Sequence, residues 1–198
     1  CDHPADDYHL SLNPINILMI MEPNEFFGLH DYAIKEGHKY NVILTWSKRI
    51  LDNCPNAVEF PFGISWTDDK FIEKMKTKEK TFEISYLCGA NKKIDGHFRR
   101  HRIFDRKDEV KIPKKFWMTL PDFDHNTGKV MDMSGKNVVW EDSMFSLCME
   151  NSTHHGYFTE KVLDAFLTRT VPVYWGCKDL DKYFDSRGFI KCETEDEI

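Results

Sequence analysis

Long hydrophobic runs are missing from this sequence. A membrane-spanning helix needs about 18 or more consecutive apolar residues, and the longest apolar stretch, Ile17 to Met21, is only strand length. No contact with a bilayer is expected from these residues. Closely paired cysteines are missing too: Cys1, Cys54, Cys88, Cys148, Cys177 and Cys192 are widely scattered, which excludes the CxxC spacing of common zinc and dithiol sites. A chain of this size needs no disulfide staples, so free thiols are expected. Excess positive charge is also absent. With a net charge of -6 and a pI near 5.8, the chain lacks the broad phosphate-neutralising surface of a general nucleic-acid binder, and any anion site must be local. There is no internal repeat or low-complexity segment. Neither an initiator Met nor a signal peptide opens the chain at Cys1, which leaves room for an upstream anchor or targeting segment and keeps the compartment open.

What is present is a globular composition, 41% hydrophobic and 30% charged over 198 residues, enough for one large domain or two small ones. The continuous apolar runs Ile15 to Met21 and Val42 to Leu44 read as buried strands of a parallel sheet. Between them a helix is predicted over Phe26 to Glu36, ended by Gly37. Trp66 to Lys80 turns Lys- and Glu-rich, as a surface helix and hinge would, and a domain boundary is placed near residue 80. Beyond it come a strand at Phe82 to Cys88, a turn-like stretch, a basic helix at Gly96 to Lys107 and a long loop at Pro121 to Lys136. A strand at Met144 to Met149, a helix at Thr159 to Thr168, a strand at Val171 to Trp175 and a short helix at Asp179 to Phe184 complete the order. Alternating strands and helices predict an α/β fold with Rossmann-like parallel sheets.

In such folds ligands bind outside the carboxyl ends of the strands, which singles out the loop from Glu150 to Tyr157. Val162, Leu163, Phe166 and Leu167 are expected to face the sheet, leaving Tyr157, Glu160, Lys161 and Asp164 toward the opposite side and start of the helix. Free amides at a helix start beside Lys161 suit a diphosphate, and the Glu160 carboxylate suits a ribose diol. An ordinary helix start, with Glu160 complementing the dipole and Lys161 solvated, fits the same residues.

The wider pattern is more specific. Met149-Glu150-Asn151-Ser152, Tyr157-Phe158-Thr159-Glu160-Lys161 and Thr170-Val171-Pro172-Val173-Tyr174-Trp175-Gly176 resemble the donor-binding motif of the family 10 α-1,3-fucosyltransferases: a strand, F/M-E-N-S/T, a short loop, Y-x-T-E-K, an apolar helix, then T-x-P-x-Y-W-G. The likeness runs from Phe145 through Phe189, with weaker similarity back to Ile15. It implies a GT-B architecture, with residues 1–80 a partial acceptor-side domain and 81–198 a GDP-sugar-binding domain. It also implies transfer of fucose from GDP-fucose to an oligosaccharide acceptor with inversion, without an obligatory metal or other cofactor. By position, Tyr157, Glu160 and Lys161 would contact the donor nucleotide and Asn151 would line the same cleft. The family's phosphate-binding arginine falls on Arg100, with Arg99 as alternate, and its acidic strand-end position on Glu22, with Glu25 as competitor for general base.

The resemblance also implies that the first half is shorter than the family's acceptor domain and that the chain stops at Ile198 before its final helices would be complete, which puts independent activity in doubt. The compartment would be the Golgi lumen for an anchored eukaryotic homologue and the cytoplasm for a bacterial or viral one. A transferase for another nucleotide sugar, or a non-catalytic GDP-sugar or glycan-binding module, would carry the same motif. Asp122-Phe123-Asp124 matches a DxD metal signature but sits in a long polar loop. His97 and His101 lack a third metal ligand, His154-His155 is assigned to a solvated loop rim, and Asn151-Ser152-Thr153 is a glycosylation sequon by chance.

Overall fold

Two all-parallel sheets organise the chain in the computed structural model, which describes residues 10–12, 14–119 and 136–198. The first has strand order β1-β2-β3, from Ile17–Ile20, Val42–Thr45 and Ala57–Glu59. The register Ile17↔Val42 through Ile20↔Thr45 brings Leu18, Ile20 and Ile43 into a core with Leu29, Ala33, Ile50 and Cys54. Instead of one helix after β1, the structure has two, α1 (Asn24–Phe27) and α2 (Leu29–Glu36). The break is Gly28, left-handed at φ 69, whose N–H donates to Asn24 O at 2.7 Å; a side chain there would be strained. A helix α3 (Lys48–Asn53) and the short β3 follow. Neither is visible as a periodic pattern in the sequence.

Helix α4 (Asp69–Met75), capped by Asp68 accepting from Phe71 N, leads to the second sheet. Its order is β5-β4-β6-β7-β8, from β4 (Thr81–Cys88), β5 (Lys114–Met118), β6 (Ser143–Met149), β7 (Val171–Trp175) and β8 (Ile190–Lys191). Alternate residues are buried on both faces: Leu147 and Met149 of β6 pack with Ile103 of helix α5 (Asp95–Asp105). Cys148 packs with Val139 and Trp140 of α6 (Val138–Glu141) and with Val162 and Ala165 of α7 (Glu160–Leu167). The five described cysteines are buried free thiols.

The stripe of α7 differs from expectation. Val162 and Ala165 are fully buried, but Leu167 is 42% exposed and Asp164 is 0% exposed. The reason is tertiary: Asp164 Oδ1 accepts from Ser65 Oγ at 2.6 Å and Trp66 N at 3.0 Å, which rotates the helix so that its carboxylate faces the connector between the sheets.

The chain enters the second sheet at β4, adds β5 on one side and then returns to add β6 on the other. The winding therefore reverses between β4 and β6, and the crevice outside their carboxyl ends is where such a sheet binds a ligand.

Candidate functional site

At that crevice lies a cavity of about 140 Å³, and Gly89, Arg100, Lys136, Glu160, Lys161 and Asp164 are among its lining residues. The end of β6 builds one wall. Glu150 is 0% exposed and accepts from Thr159 N at 2.8 Å and Thr159 Oγ1 at 2.7 Å. Tyr174 OH lies 3.4 Å from it and Lys161 Nζ 3.5 Å. Thr159 in turn caps α7 by accepting from Lys161 N. Burial pushes the Glu150 carboxyl above the ordinary range against the pull of Lys161. Burial acts to lower the Lys161 ammonium, but Glu160 and Glu150 outweigh it and hold it above its usual value. Burial likewise opposes ionisation of Glu160, and Lys161 overcomes this to hold its carboxyl low. The helix start thus carries a charged lysine between two carboxylates, with its ammonium 3.1 Å from Glu160.

The opposite wall is α5, which turns Arg100, His97 and His101 inward and leaves Arg102 exposed. Arg100 is buried, and its Nη2 donates to Asn151 Oδ1 at 2.7 Å. Arg99 points elsewhere, stacked at 4.8 Å on Trp175 and 3.7 Å from Glu195, so Arg100 is the arginine at the cavity. This approach depends on Gly96: a Cβ there would lie 2.0 Å from Asn151 O. Gly96→Ala is expected to lose about 1–3 kcal/mol of stability, the usual cost of overpacking, measured by denaturant unfolding; a stability equal to wild type would mean that α5 moves away freely.

The first sheet reaches the same place through Glu22. Its Oε2 accepts from Asn151 Nδ2 at 3.1 Å and from Tyr157 OH at 3.1 Å. Tyr157 is fully buried, with its ring 4.9 Å from that of Trp46, and Trp46 Nε1 donates to Met21 O at 2.7 Å. His30 steadies the turn, with Nε2 3.1 Å from Glu22 O and Nδ1 3.2 Å from Ser47 Oγ. Glu25 instead pairs with His154 at 3.1 Å.

Of the residues expected at the site, Arg100, Glu160 and Lys161 line the cavity, while Asn151 and Tyr157 connect it to Glu22. The Tyr157 hydroxyl is spent on Glu22 rather than turned to the cavity. His154 and His155 stand at a rim as expected, with side chains 37% and 70% exposed, and the His154 ring also lies 5.4 Å from that of Trp46. Asn151 is buried with both amide atoms engaged, so the sequon is closed to a glycan. His97 Nδ1 accepts from Lys93 N, and burial pushes its ring down to about 4. Among the described residues no three His, Cys, Asp or Glu side chains are grouped to hold a metal, and Asp122 to Asp124 lie outside those residues.

Sequence reading missed three contributors. Glu150 was detectable as a carboxylate directly after an apolar strand and before a helix start. His30 and Lys136, whose ammonium sits 4.2 Å over the Trp66 ring, left no signal.

The sequence model of the glycosyltransferase family 10 (fucosyltransferase) C-terminal domain matches residues 118–196. The α-(1,3)-fucosyltransferase FucT of Helicobacter pylori is 37% identical over 59 residues, covering 30% of this chain and 12% of that protein. A crystal structure of an α1,3-fucosyltransferase with GDP-fucose superposes with TM-score 0.54 at 18% identity, covering 93% of this chain and 61% of that one. One with GDP gives TM-score 0.54 at 17% identity, covering 91% and 59%. The chain thus spans 12% of the length of the bacterial relative and three-fifths or slightly less of these two structures. At such identities the superpositions establish the fold, a GT-B arrangement of parallel α/β sheets. Over residues 118–196, less than half of the chain, the sequence therefore matches the C-terminal domain of glycosyltransferase family 10, the fucosyltransferases.

Proposed function

We propose that this chain carries the GDP-fucose site and the general base of an inverting α-1,3-fucosyltransferase that acts on a glycan hydroxyl without a metal. One observation carries the reading: Arg100, Glu160 and Lys161 meet at a cavity in the second sheet, and Asn151 and Tyr157 tie that group to Glu22 of the first. In this reading the acceptor hydroxyl attacks the anomeric carbon of fucose and gives its proton to the Glu22 carboxylate. As the new C–O bond forms, the bond to the β-phosphate breaks and GDP leaves. Arg100, Lys161 and the amides at the start of α7 stabilise the charge that grows on the diphosphate, and Glu160 accepts from the ribose hydroxyls. Asn151 and Tyr157 hold the base in place.

The test is calorimetric titration with GDP and GDP-fucose in the presence of a chelator. Binding is expected there, because fixed side-chain and helix charges supply what a metal supplies elsewhere. Affinity that appears only with manganese or magnesium would overturn the metal-free reading in favour of Asp122 and Asp124.

A further inference from the structure

Four of the seven unpartnered buried polar side-chain atoms among the described residues belong to residues lining the same cavity: Arg100 Nε, Trp140 Nε1, Ser146 Oγ and Asp164 Oδ2. Their residues are 7%, 7%, 1% and 0% exposed. Buried polar groups in native proteins are normally satisfied, so this concentration calls for a ligand with several complementary groups. The cavity, at about 140 Å³, is on the scale of a small aromatic group, since cavities of about 150 Å³ hold benzene, so it can take part of a nucleotide, an edge of its base included, and not the whole molecule.

The hydrogen-bonding pattern limits which ring. Asp164 Oδ1 is occupied by Ser65 Oγ and Trp66 N, which fixes the carboxylate plane and leaves Oδ2 as an acceptor with no donor. Among the common nucleobases guanine alone presents two adjacent donors on one edge, the ring N1–H and the C2 amine. Adenine flanks its amine with ring acceptors and uracil flanks its ring N–H with carbonyls, so each would place a lone pair against the carboxylate, while cytosine offers Oδ2 a single amine N–H where guanine offers two donors. The Trp140 indole N–H and the Ser146 hydroxyl can donate to the guanine O6 and N7. Asp164 also lies four residues along α7 from Glu160, one turn away on the same face. Base at Asp164, ribose at Glu160 and diphosphate at Lys161 and Arg100 follow one another in the order of a nucleoside diphosphate.

We infer that Asp164 is the residue that selects guanine in the donor site, with Trp140 and Ser146 facing the ring acceptors. This rests on the donor-site reading above and adds to it the choice of base.

The experiment is a base-swap titration of the whole chain. Asp164→Asn keeps an oxygen for Ser65 and Trp66 N and turns Oδ2 into an amide donor, which opposes guanine but matches xanthine, whose C2 bears a carbonyl. Wild type should prefer GDP to ADP, UDP and xanthosine diphosphate; the variant should lose about tenfold or more in GDP affinity and prefer xanthosine diphosphate. Inorganic pyrophosphate should bind both proteins equally. If wild type binds GDP but the variant keeps the same ratio of GDP to xanthosine diphosphate, the selection by Asp164 is overturned and the donor site stands. If wild type binds no nucleoside diphosphate, both readings fall. Should Asp164→Asn not fold by circular dichroism, Trp140→Phe decides: it should weaken GDP several-fold and leave ADP unchanged, and an unaltered GDP affinity overturns the assignment.

Discussion

Glu22→Gln is expected to slow fucose transfer by about 10²-fold or more, the scale of a lost general base, while GDP affinity stays close to wild type. The substitution isolates the proton-accepting role because its amide oxygen can still accept from Asn151 Nδ2 and Tyr157 OH, the two donors that hold Glu22 Oε2. Geometry between the sheets is kept and basicity is removed. Glu25→Gln is the control; since Glu25 is half exposed and pairs with His154 and not with Asn151 or Tyr157, its transfer rate should change little. Initial rates of transfer and calorimetric GDP affinity, compared across both variants, separate the roles. Full activity in Glu22→Gln would move the base to Glu25 or to a group beyond this chain.

Lys161→Ala should have two separable effects. As a point charge on the diphosphate, Lys161 is worth roughly 1.5–3 kcal/mol of GDP binding, the range of a charged hydrogen bond, and its loss should barely affect guanosine. Glu160→Gln, by contrast, should weaken GDP and guanosine alike. The second effect concerns the fold. Lys161 stands 3.5 Å from a carboxylate that is 0% exposed, so the alanine variant leaves Glu150 without its countercharge. The sequence, which places Lys161 off the apolar face, gives no warning of this. The loss should fall below the roughly 3–5 kcal/mol of breaking a fully buried pair, because a quarter of the Lys161 side chain is solvent-exposed.

The sign with pH follows. Burial raises the Glu150 carboxyl in the folded state above its ordinary 4.5, so its contribution is fully present below that value and is lost as pH climbs through the raised one. Removing Lys161 should deepen this decline, and adding Glu150→Gln should abolish the difference. Thermal unfolding of the single and double variants at acidic and neutral pH checks it. A Lys161→Ala protein equally stable at both would show that Glu150 is balanced without the lysine.

How far the sequence carries depends on the kind of residue. Strands β1, β2, β4, β6 and β7 are legible because they are written largely in apolar residues, although β1 and β2 fully bury only every second one. The edge strand β5 begins Lys114-Lys115 and packs only partly, so its composition reads as surface. Helix α7 shows why a stripe alone misleads: over eight residues, one buried carboxylate held by Ser65 and Trp66 N outweighs the exposure of Leu167. At the site, Asn151 lies just past the end of β6 and Glu160 and Lys161 open the next helix, so the order strand, loop, helix start predicts their proximity. Glu22 and Arg100 come from distant segments, and their meeting at Asn151 is a property of the tertiary structure.

The wholly parallel pairing has a consequence in time rather than in space. No parallel ladder closes through a tight hairpin, so each strand pair waits for its crossover, and contacts between distant segments bear the largest loop-closure entropy. The β1-β2-β3 sheet closes within residues 17 to 59, whereas the bonds from Asn151 and Tyr157 to Glu22 join residues 129 and 135 positions apart. Those bonds require both sheets to be in place, so Glu22 meets Asn151 and Tyr157 only at the end of folding. By the same ordering they are expected among the first contacts to open when the native state fluctuates, before either sheet itself comes apart.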